Sequence, residues 1–223
     1  MRCRRGLLLA AGVAVYVLYV RPWMLRWGAT EGEGAEWLPG DDVVSGATLA
    51  VTRAIDIAAP PVEVWPWLVQ IGIGPDRAGF YSYDWLENLL GLDVLSASRI
   101  IPQLQAIAVG DRIPLGPETH LRVQQLDPGA ALILHARMDP FTGRDIDPSL
   151  AEPSVCLDWT WSFVLRARPP GTRLLLRTRG TWAPPMLGPL VQPILEPPWF
   201  VMERRMLLGI RERAEGIAAA PAN

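Results

Sequence analysis

The stretch that decides the fold is PWFVMERRMLLGIRERAEGI, residues 198–217. Apolar side chains recur in it at spacings of three and four residues, which is the period of one face of an α-helix. The two prolines at 197 and 198 stand where the start of a helix tolerates them. The pattern predicts one long helix near the C-terminus. Its apolar face consists of Trp199, Met202, Met206, Ile210, Ala214 and Ile217.

The sequence before this helix is mostly strand-like. Alternating apolar and polar residues, separated by Gly and Pro turns, predict strands at 48–58, 109–115, 120–126, 131–138, 155–167 and 172–182. Two short helices are expected at 62–71 and 82–90, with a flexible glycine loop between them. The proline-rich residues 184–198 are expected to be an irregular connection. The order predicts an α+β helix-grip fold, in which a curved antiparallel sheet wraps around the long C-terminal helix.

The composition narrows the classes of function. Half of the 223 residues are apolar, which excludes a disordered chain, and the net charge of −2 gives no reason to expect a nucleic-acid partner. All 21 basic residues are arginine, so a Schiff-base lysine mechanism is excluded. This arginine usage, with abundant Ala, Gly and Pro, indicates a bacterial protein. Cys3 and Cys156 are too far apart in sequence to suggest a zinc site, and we expect neither metal nor cofactor.

Residues 1–27 are expected to form a membrane segment. Arg2, Arg4 and Arg5 precede the uncharged apolar run 6–20. Fifteen helical residues span roughly 22 Å, short of the roughly 30 Å hydrocarbon core, but continuing to Trp27 makes the helix long enough if Arg21 snorkels. We predict a single-pass transmembrane anchor, with the domain on the outer side. A cleaved signal peptide and a surface-lying helix remain alternatives.

The domain organisation follows from these segments. Residues 1–27 are the anchor, and the Gly- and Glu-rich residues 28–47 are a linker. Residues 48–218 form the helix-grip domain, and residues 219–223 are a disordered tail.

Three segments resemble a known family. APPVEVWPWLVQIG (59–72) resembles the opening of SRPBCC-superfamily proteins, which include START lipid-transfer domains and polyketide cyclases/dehydrases. GFYSYDWLEN (79–88) and MERRMLLGI (202–210) resemble a bacterial subfamily of unassigned function. The resemblance implies a helix-grip fold. It does not imply one activity, because the superfamily spans transporters, sensors and enzymes.

An apolar cavity between sheet and helix is the expected ligand site, since a curved sheet around one helix rarely fills its middle. A small hydrophobic molecule, such as a lipid, isoprenoid or polyketide, is the expected partner. The candidate ligand-binding residues are Trp67, Tyr81, Tyr83, Trp85, Trp159, Trp161, Phe163, Met202 and Met206. Alternatively, the residues around Tyr81–Asn88 only cap and support a helix, and the strand aromatics are plain core.

Catalytic residues are harder to identify. Tyr83, Asp84, His135 and Glu203 are the candidates for acid–base chemistry. Glu203 is otherwise expected to face solvent or pair with a nearby arginine, and Arg177 is expected to face solvent. Three hypotheses remain open: a membrane-tethered binder of a hydrophobic molecule, a cyclase/dehydrase-type enzyme using the same cavity, and a structural or interaction protein with a closed core.

Overall fold

Six antiparallel strands form one curved sheet, and the long C-terminal helix lies against its inner face. The computed structural model describes residues 10–89, 91–146 and 154–216. The order across the sheet is β1-β6-β5-β4-β3-β2. The strands are β1 (Leu49–Ile57), β2 (Arg112–Pro114), β3 (His120–Asp127), β4 (Ala131–Met138), β5 (Cys156–Arg168) and β6 (Gly171–Ala183). The helices are α1 (Arg21–Leu25), α2 (Glu31–Ala35), α3 (Pro61–Val69), α4 (Asp84–Leu89) and α5 (Leu187–Ala214). The predicted α+β helix-grip arrangement is confirmed.

The inner face of the sheet follows from strand alternation. On β5, Trp159, Trp161 and Phe163 point into the main core, while Thr160 and Ser162 between them face the other side. The register supports this, because Trp161 is paired with Leu134 on β4 and Thr178 on β6. Helix α5 covers this face and contributes Met206, Leu207 and Ile210 to the same core.

Helix α5 starts at Leu187, eleven residues before the predicted start at 198. Its first half contains Pro193, Pro197 and Pro198. Prolines inside a helix remove backbone hydrogen bonds and usually kink or end it, so this stretch was not expected to be helical. A proline at 197 removes the N–H that would bond to the carbonyl of Pro193. The Tyr16 hydroxyl donates to that carbonyl oxygen at 2.8 Å and so replaces the missing bond. The expected irregular connection at 184–198 is therefore mostly helix.

The glycine loop after α3 is paired rather than free. Gly72 and Gly79 form an antiparallel bridge, and the Ile73 N–H donates to the Pro114 carbonyl at 2.9 Å. The loop thus extends the sheet beyond the edge strand β2 and covers part of its exposed backbone.

Residues 28–47, predicted as a linker, pack on the outer face of the sheet; we call them the N-terminal strap. Thr30 and Glu33 form a reciprocal capping box that starts α2. Leu38 is fully buried in a small outer core with Ala54, Val164 and Leu175. The strap covers the outer side of β1, β6 and β5, which the composition of this Gly- and Glu-rich segment did not predict.

The N-terminal segment is helical from residue 10 to Leu25, with a π-helical turn at Tyr16–Val20. No described helix combines the length and apolar character needed to cross a bilayer. The arginines at 2, 4 and 5, the apolar position Ile217 and the predicted tail 219–223 lie outside the described residues.

Gly209 lets α5 approach the loop before α4. A Cβ at this position would lie 2.2 Å from the carbonyl oxygen of Tyr81. Gly209→Ala gains about 1 kcal/mol of helix propensity, but overpacking against backbone costs about 1–3 kcal/mol or more. We expect a net loss of about 1–2 kcal/mol in thermal unfolding, toward the upper end of this balance, since a contact this close forces a backbone shift. Gly32→Ala in α2, where the nearest atom is 3.9 Å away, is the control; equal effects of the two substitutions would contradict the prediction.

Candidate functional site

The predicted ligand-binding aromatics form a ladder through the inner core. Trp199 on α5 meets Trp159 edge-on at 5.3 Å between ring centroids, Trp159 lies 6.1 Å from Trp161, and Trp161 lies 5.1 Å from Phe163. Phe80 from the loop before α4 tilts against Trp161 at 6.0 Å. These rings occupy the space between sheet and α5. Their role as ligand contacts stays a prediction, since they line neither of the two cavities described below.

Glu203 lies at the centre of this interior and is 2% exposed. Its carboxylate pairs with Arg53 of β1, which is 3% exposed. The other carboxylate oxygen accepts from the Trp161 indole N–H at 2.8 Å, and the Thr178 hydroxyl lies 3.5 Å away. The alternative that Glu203 faces solvent is therefore wrong, and its pairing with an arginine is confirmed. Burial lowers the pKa of Arg53 to about 10, so the guanidinium is charged at neutral pH.

The other predicted ligand contacts divide between core and surface. Tyr81 is buried, in a left-handed backbone conformation with φ of 58°, and its hydroxyl donates to the Trp67 carbonyl at 3.1 Å. Trp67 meets the Tyr81 ring edge-on, and Met206 is buried on α5. Trp85, in contrast, is 68% exposed. Tyr83 and Met202 are half-buried.

Asp84 has a structural partner. Its carboxylate accepts from the Ser96 backbone N–H at 2.8 Å and from the Ser96 hydroxyl at 2.6 Å. Ser96 in turn accepts from the backbone N–H of Tyr81 at 2.9 Å. Asp84 thus fixes the loop that carries Tyr81.

Glu87, one turn further along α4, is buried, and its Oε2 makes no hydrogen bond to any described residue. Burial, with a smaller contribution from the charge of Asp84, raises its pKa to about 7 from 4.5. Below pH 4.5 both folded and unfolded chains hold the proton. Between pH 4.5 and about 7 the folded chain keeps the proton that the unfolded chain has lost, so stability decreases as the pH rises.

Glu87→Gln is expected to remove this pH dependence. Above pH 7 the variant should be more stable than the wild type by roughly 2 kcal/mol, since each unit of pKa difference corresponds to about 1.4 kcal/mol and relaxation reduces the full effect. Urea unfolding at several pH values measures it, with the exposed Glu63→Gln as the control. A wild-type stability that rises between pH 5 and 7, and rises equally in Glu87→Gln, would contradict the prediction.

A cavity of about 650 Å³ lies at the β2 edge of the sheet, away from the aromatic ladder. The loop after α3 forms one wall, and the segment before β2 forms another. One part of the lining is apolar, with Ile73, Leu92, Leu104 and Ile107. The rest is polar and includes Arg77, Gln103, Asp111, Arg112 and His120. The volume falls in the range of small-molecule sites.

Arg77 is the unusual group in this wall. Its stem packs over Gly72, where a Cβ would meet Arg77 side-chain atoms at 3.0 and 3.2 Å. Its buried Nε–H has no acceptor among the described residues, and desolvation lowers the pKa of the guanidinium. Buried donors are nearly always hydrogen-bonded in folded proteins. Arg77, a residue of the cavity wall, therefore carries a buried donor that no described residue satisfies.

His120 and Arg112, which line the cavity, form a second polar group with Asp145, which lines a neighbouring depression of about 310 Å³. Asp145 accepts from the Arg112 guanidinium at 2.6 Å and lies 3.0 Å from His120 Nδ1. Its other oxygen accepts from the His120 backbone N–H at 2.9 Å. The Arg112 guanidinium also lies 3.1 Å from His120 Nδ1, so this nitrogen has a carboxylate and a cation as neighbours. Nε2 is free to accept a proton in the tautomer that donates from Nδ1 to Asp145. Nε2 makes no hydrogen bond to the part of the chain that the structure describes.

His135, the predicted acid–base histidine, lies on the outer face of the sheet. Its Nε2 is 2.7 Å from Asp158 on β5. It lines a depression of about 310 Å³, which also includes Arg112 and His120. Of the four predicted catalytic residues, only Glu203 lies in the interior, Tyr83 and Asp84 are half-buried, and His135 lies on the outer face, so the structure does not bring them together.

Arg77, which lines the cavity, and Asp145, the partner of His120, were missed in the sequence. Arg77 follows a Gly-rich turn, and Asp145 sits in a proline-bearing loop, so neither belongs to a periodic pattern. Three glycines within eight residues around Arg77 were the available signal, because glycine permits close side-chain approach to backbone. Among the described residues, no group of three or more His, Cys, Asp and Glu side chains is arranged to hold a metal ion.

The chain was compared with protein-family models, curated proteins and solved structures. No protein-family model matches the sequence, and no curated protein matches it. A Mesorhizobium loti protein of solved structure is 16% identical, with 75% of this chain and 98% of that chain covered and a TM-score of 0.42. A Chromobacterium violaceum protein is 14% identical, with 74% and 96% covered and a TM-score of 0.41. Truncated norcoclaurine synthase from Thalictrum flavum is 13% identical, with 74% and 91% covered and a TM-score of 0.40. Similarity at this level assigns neither a ligand nor a reaction.

Proposed function

We propose that this protein is an SRPBCC-type helix-grip domain that binds a small, mostly hydrophobic molecule bearing an acidic or other oxygen-containing head group. The cavity beside β2 is the proposed site. The observation that carries the proposal is the unpaired, buried Nε–H of Arg77 in the wall of a cavity of about 650 Å³.

The lining supports this chemical class. Ile73, Leu104 and Ile107 offer apolar surface to a hydrocarbon or ring. Arg77 and Arg112 offer cationic donors, and an arginine suits a carboxylate or phosphate because its donors match two oxygens at once. A lipid, isoprenoid or polyketide with one acidic head satisfies both parts of the wall.

Native mass spectrometry of the full-length protein, purified from a bacterial host, tests the proposal directly. Organic extraction of the same sample gives the chemical class of any molecule that co-purifies. A hydrophobic molecule with an acidic head is the expected result. A protein that carries no such molecule and does not bind a fluorescent fatty acid would contradict the proposal.

Arg77→Met is expected to weaken the binding of a fluorescent fatty acid about tenfold, since a hydrogen bond from a charged donor contributes about 1.5 kcal/mol or more. Methionine keeps the apolar stem over Gly72 and removes only the donors. Arg99→Met changes an exposed arginine outside the cavity lining and is the matched control. Equal affinities of the two variants, measured by fluorescence titration, would show that Arg77 does not bind the head group.

A second candidate function is acid–base catalysis in the same cavity. It is favoured by the contact of Asp145 with His120 Nδ1 at 3.0 Å. In the tautomer that donates from Nδ1 to this carboxylate, Nε2 is free to remove a proton next to a carbonyl group. Incubating the extracted molecule with the protein in D₂O tests it by mass spectrometry. Deuterium uptake that is lost in His120→Asn supports an enzyme of the cyclase/dehydrase type. Deuterium uptake equal to that without protein would reject acid–base catalysis and leave ligand binding as the proposed function.

Membrane attachment is also proposed. Residues 6–20 contain no charged residue, and three arginines precede them. These features support attachment of the N-terminal segment to a bacterial membrane, with the domain on the outer side. Fractionation of cells that express the full chain tests the attachment, and protease digestion of intact spheroplasts tests the side. Recovery of the full chain in the soluble fraction would contradict the attachment.

A further inference from the structure

The first half of α5 buries its polar side chains and exposes large apolar ones. From Leu187 to Val201 the sequence contains two polar residues, Gln192 and Glu196, and both are buried. Large apolar side chains are exposed instead, and Leu190 and Ile194 follow one another at the helical spacing of four. A helix surrounded by water shows the opposite arrangement.

The N-terminal helical segment lies alongside this half of α5 and points in the same direction. Tyr16 bonds to Pro193, Arg21 to Glu196, and Trp23 packs edge-on against Phe200 at 5.2 Å. The two helices therefore form one layer. The N-terminal segment adds further exposed apolar side chains to it, namely Val13, Val15, Val17, Leu18, Tyr19 and Trp23.

Polar groups within this layer are satisfied internally. Glu196 accepts from two nitrogens of Arg21, at 2.6 and 2.8 Å, so its charge is compensated and hidden. The Tyr16 hydroxyl bonds to the carbonyl that Pro197 leaves without a helical partner. Compensation of this kind is what a surface in contact with hydrocarbon requires, because an unpaired polar group there costs several kcal/mol.

We propose that these two helices, residues 10–25 and 187–201, form a surface that lies in the interface of a lipid bilayer. The inference rests on the membrane attachment proposed above and adds that α5 itself contacts lipid. The domain then lies against the membrane instead of hanging from a tether.

Charge around the surface favours a bilayer with anionic lipids over a protein partner. The sequence has no acidic residue before Glu31, and it has arginines at positions 2, 4 and 5. At the other end, Arg26 is exposed, and Arg204 lies 5.1 Å from the Trp27 ring. Exposed Trp and Tyr side chains such as Trp23 and Tyr19 are typical of residues at the level of the lipid head groups.

The experiment places a fluorophore on α5 in the full-length protein. Ile194→Cys, in a Cys3→Ser background that keeps the buried Cys156, is labelled with an environment-sensitive dye. The protein is reconstituted with vesicles of phosphatidylethanolamine and phosphatidylglycerol that contain doxyl-labelled lipid. Val62→Cys is the matched control, because Val62 and Ile194 are both 73% exposed. Val62 lies near the opposite end of α5, where Glu215 accepts from the Ala58 backbone N–H at 2.7 Å.

We expect the label at 194 to be quenched several-fold more strongly than the label at 62. Flotation of the protein with the vesicles but equal, weak quenching of both labels would overturn the α5 contact and leave the N-terminal attachment standing. Failure to float would overturn both. A blue-shifted label at 194 in the absence of lipid, dependent on protein concentration, would assign the surface to a second copy of the chain and reject the bilayer.

Discussion

Glu203→Leu is expected to lower the free energy of unfolding by about 3–5 kcal/mol, the usual cost of removing one partner from a buried ion pair. The substitution leaves Arg53 charged in the interior, with the Met24 carbonyl at 3.0 Å as its remaining acceptor. It also removes the acceptor of the Trp161 indole N–H. Urea unfolding followed by tryptophan fluorescence measures the loss.

A double-mutant cycle makes this prediction specific. Arg53→Met combined with Glu203→Leu removes both charges, and apolar replacement of a whole buried pair is often close to neutral. The double variant should therefore be more stable than either single variant. Arg205→Met, which breaks the partly exposed pair with Glu212, is the control and should cost less than about 1 kcal/mol. Additive losses in the cycle would mean that the two buried charges do not stabilise one another.

Arg177→Met is expected to cost about 3 kcal/mol or more, because it removes a buried cation that binds the N-terminal strap to the sheet. Arg177 donates to Asp41 at 2.6 Å and to Thr52 on β1 at 3.0 Å. It also donates to three backbone carbonyls of the strap, those of Glu33, Gly34 and Glu36. Methionine fills much of the same volume and leaves all of these acceptors without the donor.

Arg166→Met is the matched control for this prediction. Arg166 bonds at 2.8 Å to the Glu36 side chain of the same strap, but both side chains are more than one third exposed. Such a pair contributes roughly 0–1 kcal/mol. Limited proteolysis beside urea unfolding shows where the effect lies, since cleavage within residues 28–47 should increase only in Arg177→Met. If both variants resist cleavage like the wild type, the strap is held by its apolar contacts.

The strands could be predicted well because each has one face in the main core. On β5 the alternation of Trp159, Trp161 and Phe163 with polar residues is clear, and the observed strand differs from the predicted one by one residue at each end. The same alternation put Arg177 on the outer face, but the expectation that it faces solvent is wrong, because Arg177 is 4% exposed under the strap. That this face is buried could not be predicted, because the strap lies more than 130 residues away in sequence.

The position of Glu203 was available in the sequence. It follows Trp199 by four residues and precedes Met206 by three, which places it on the apolar side of α5. Glu203 was nevertheless expected to face solvent or to pair with an arginine, because burying an unpaired carboxylate in a core is costly. The compensating charge, Arg53, comes from β1, and only the fold brings the two together.

The pairing of His120 with Asp145 could not be predicted from the sequence, because only the tertiary structure brings the two residues together. His120 begins β3, while Asp145 lies 25 residues later and reaches the histidine only because the loop after β4 folds back over β3. A single histidine in a strand carries no sign of such a partner. The start of α5 was missed for a different reason, since the hydroxyl that supports its prolines comes from Tyr16, far from the helix in sequence.

The strand order has a consequence for biogenesis. β1 is made early, but its sheet partner β6 ends at Ala183, so a nascent chain must hold β1 unpaired until most of the domain has left the ribosome. Closing such a long loop is slow compared with forming local hairpins such as β5–β6. During that interval the strand and the apolar underside of the strap are open to chaperones and to aggregation. Late closure also means that a chain truncated before β6 has no partner for its first strand and cannot assemble the buried Arg53–Glu203 pair.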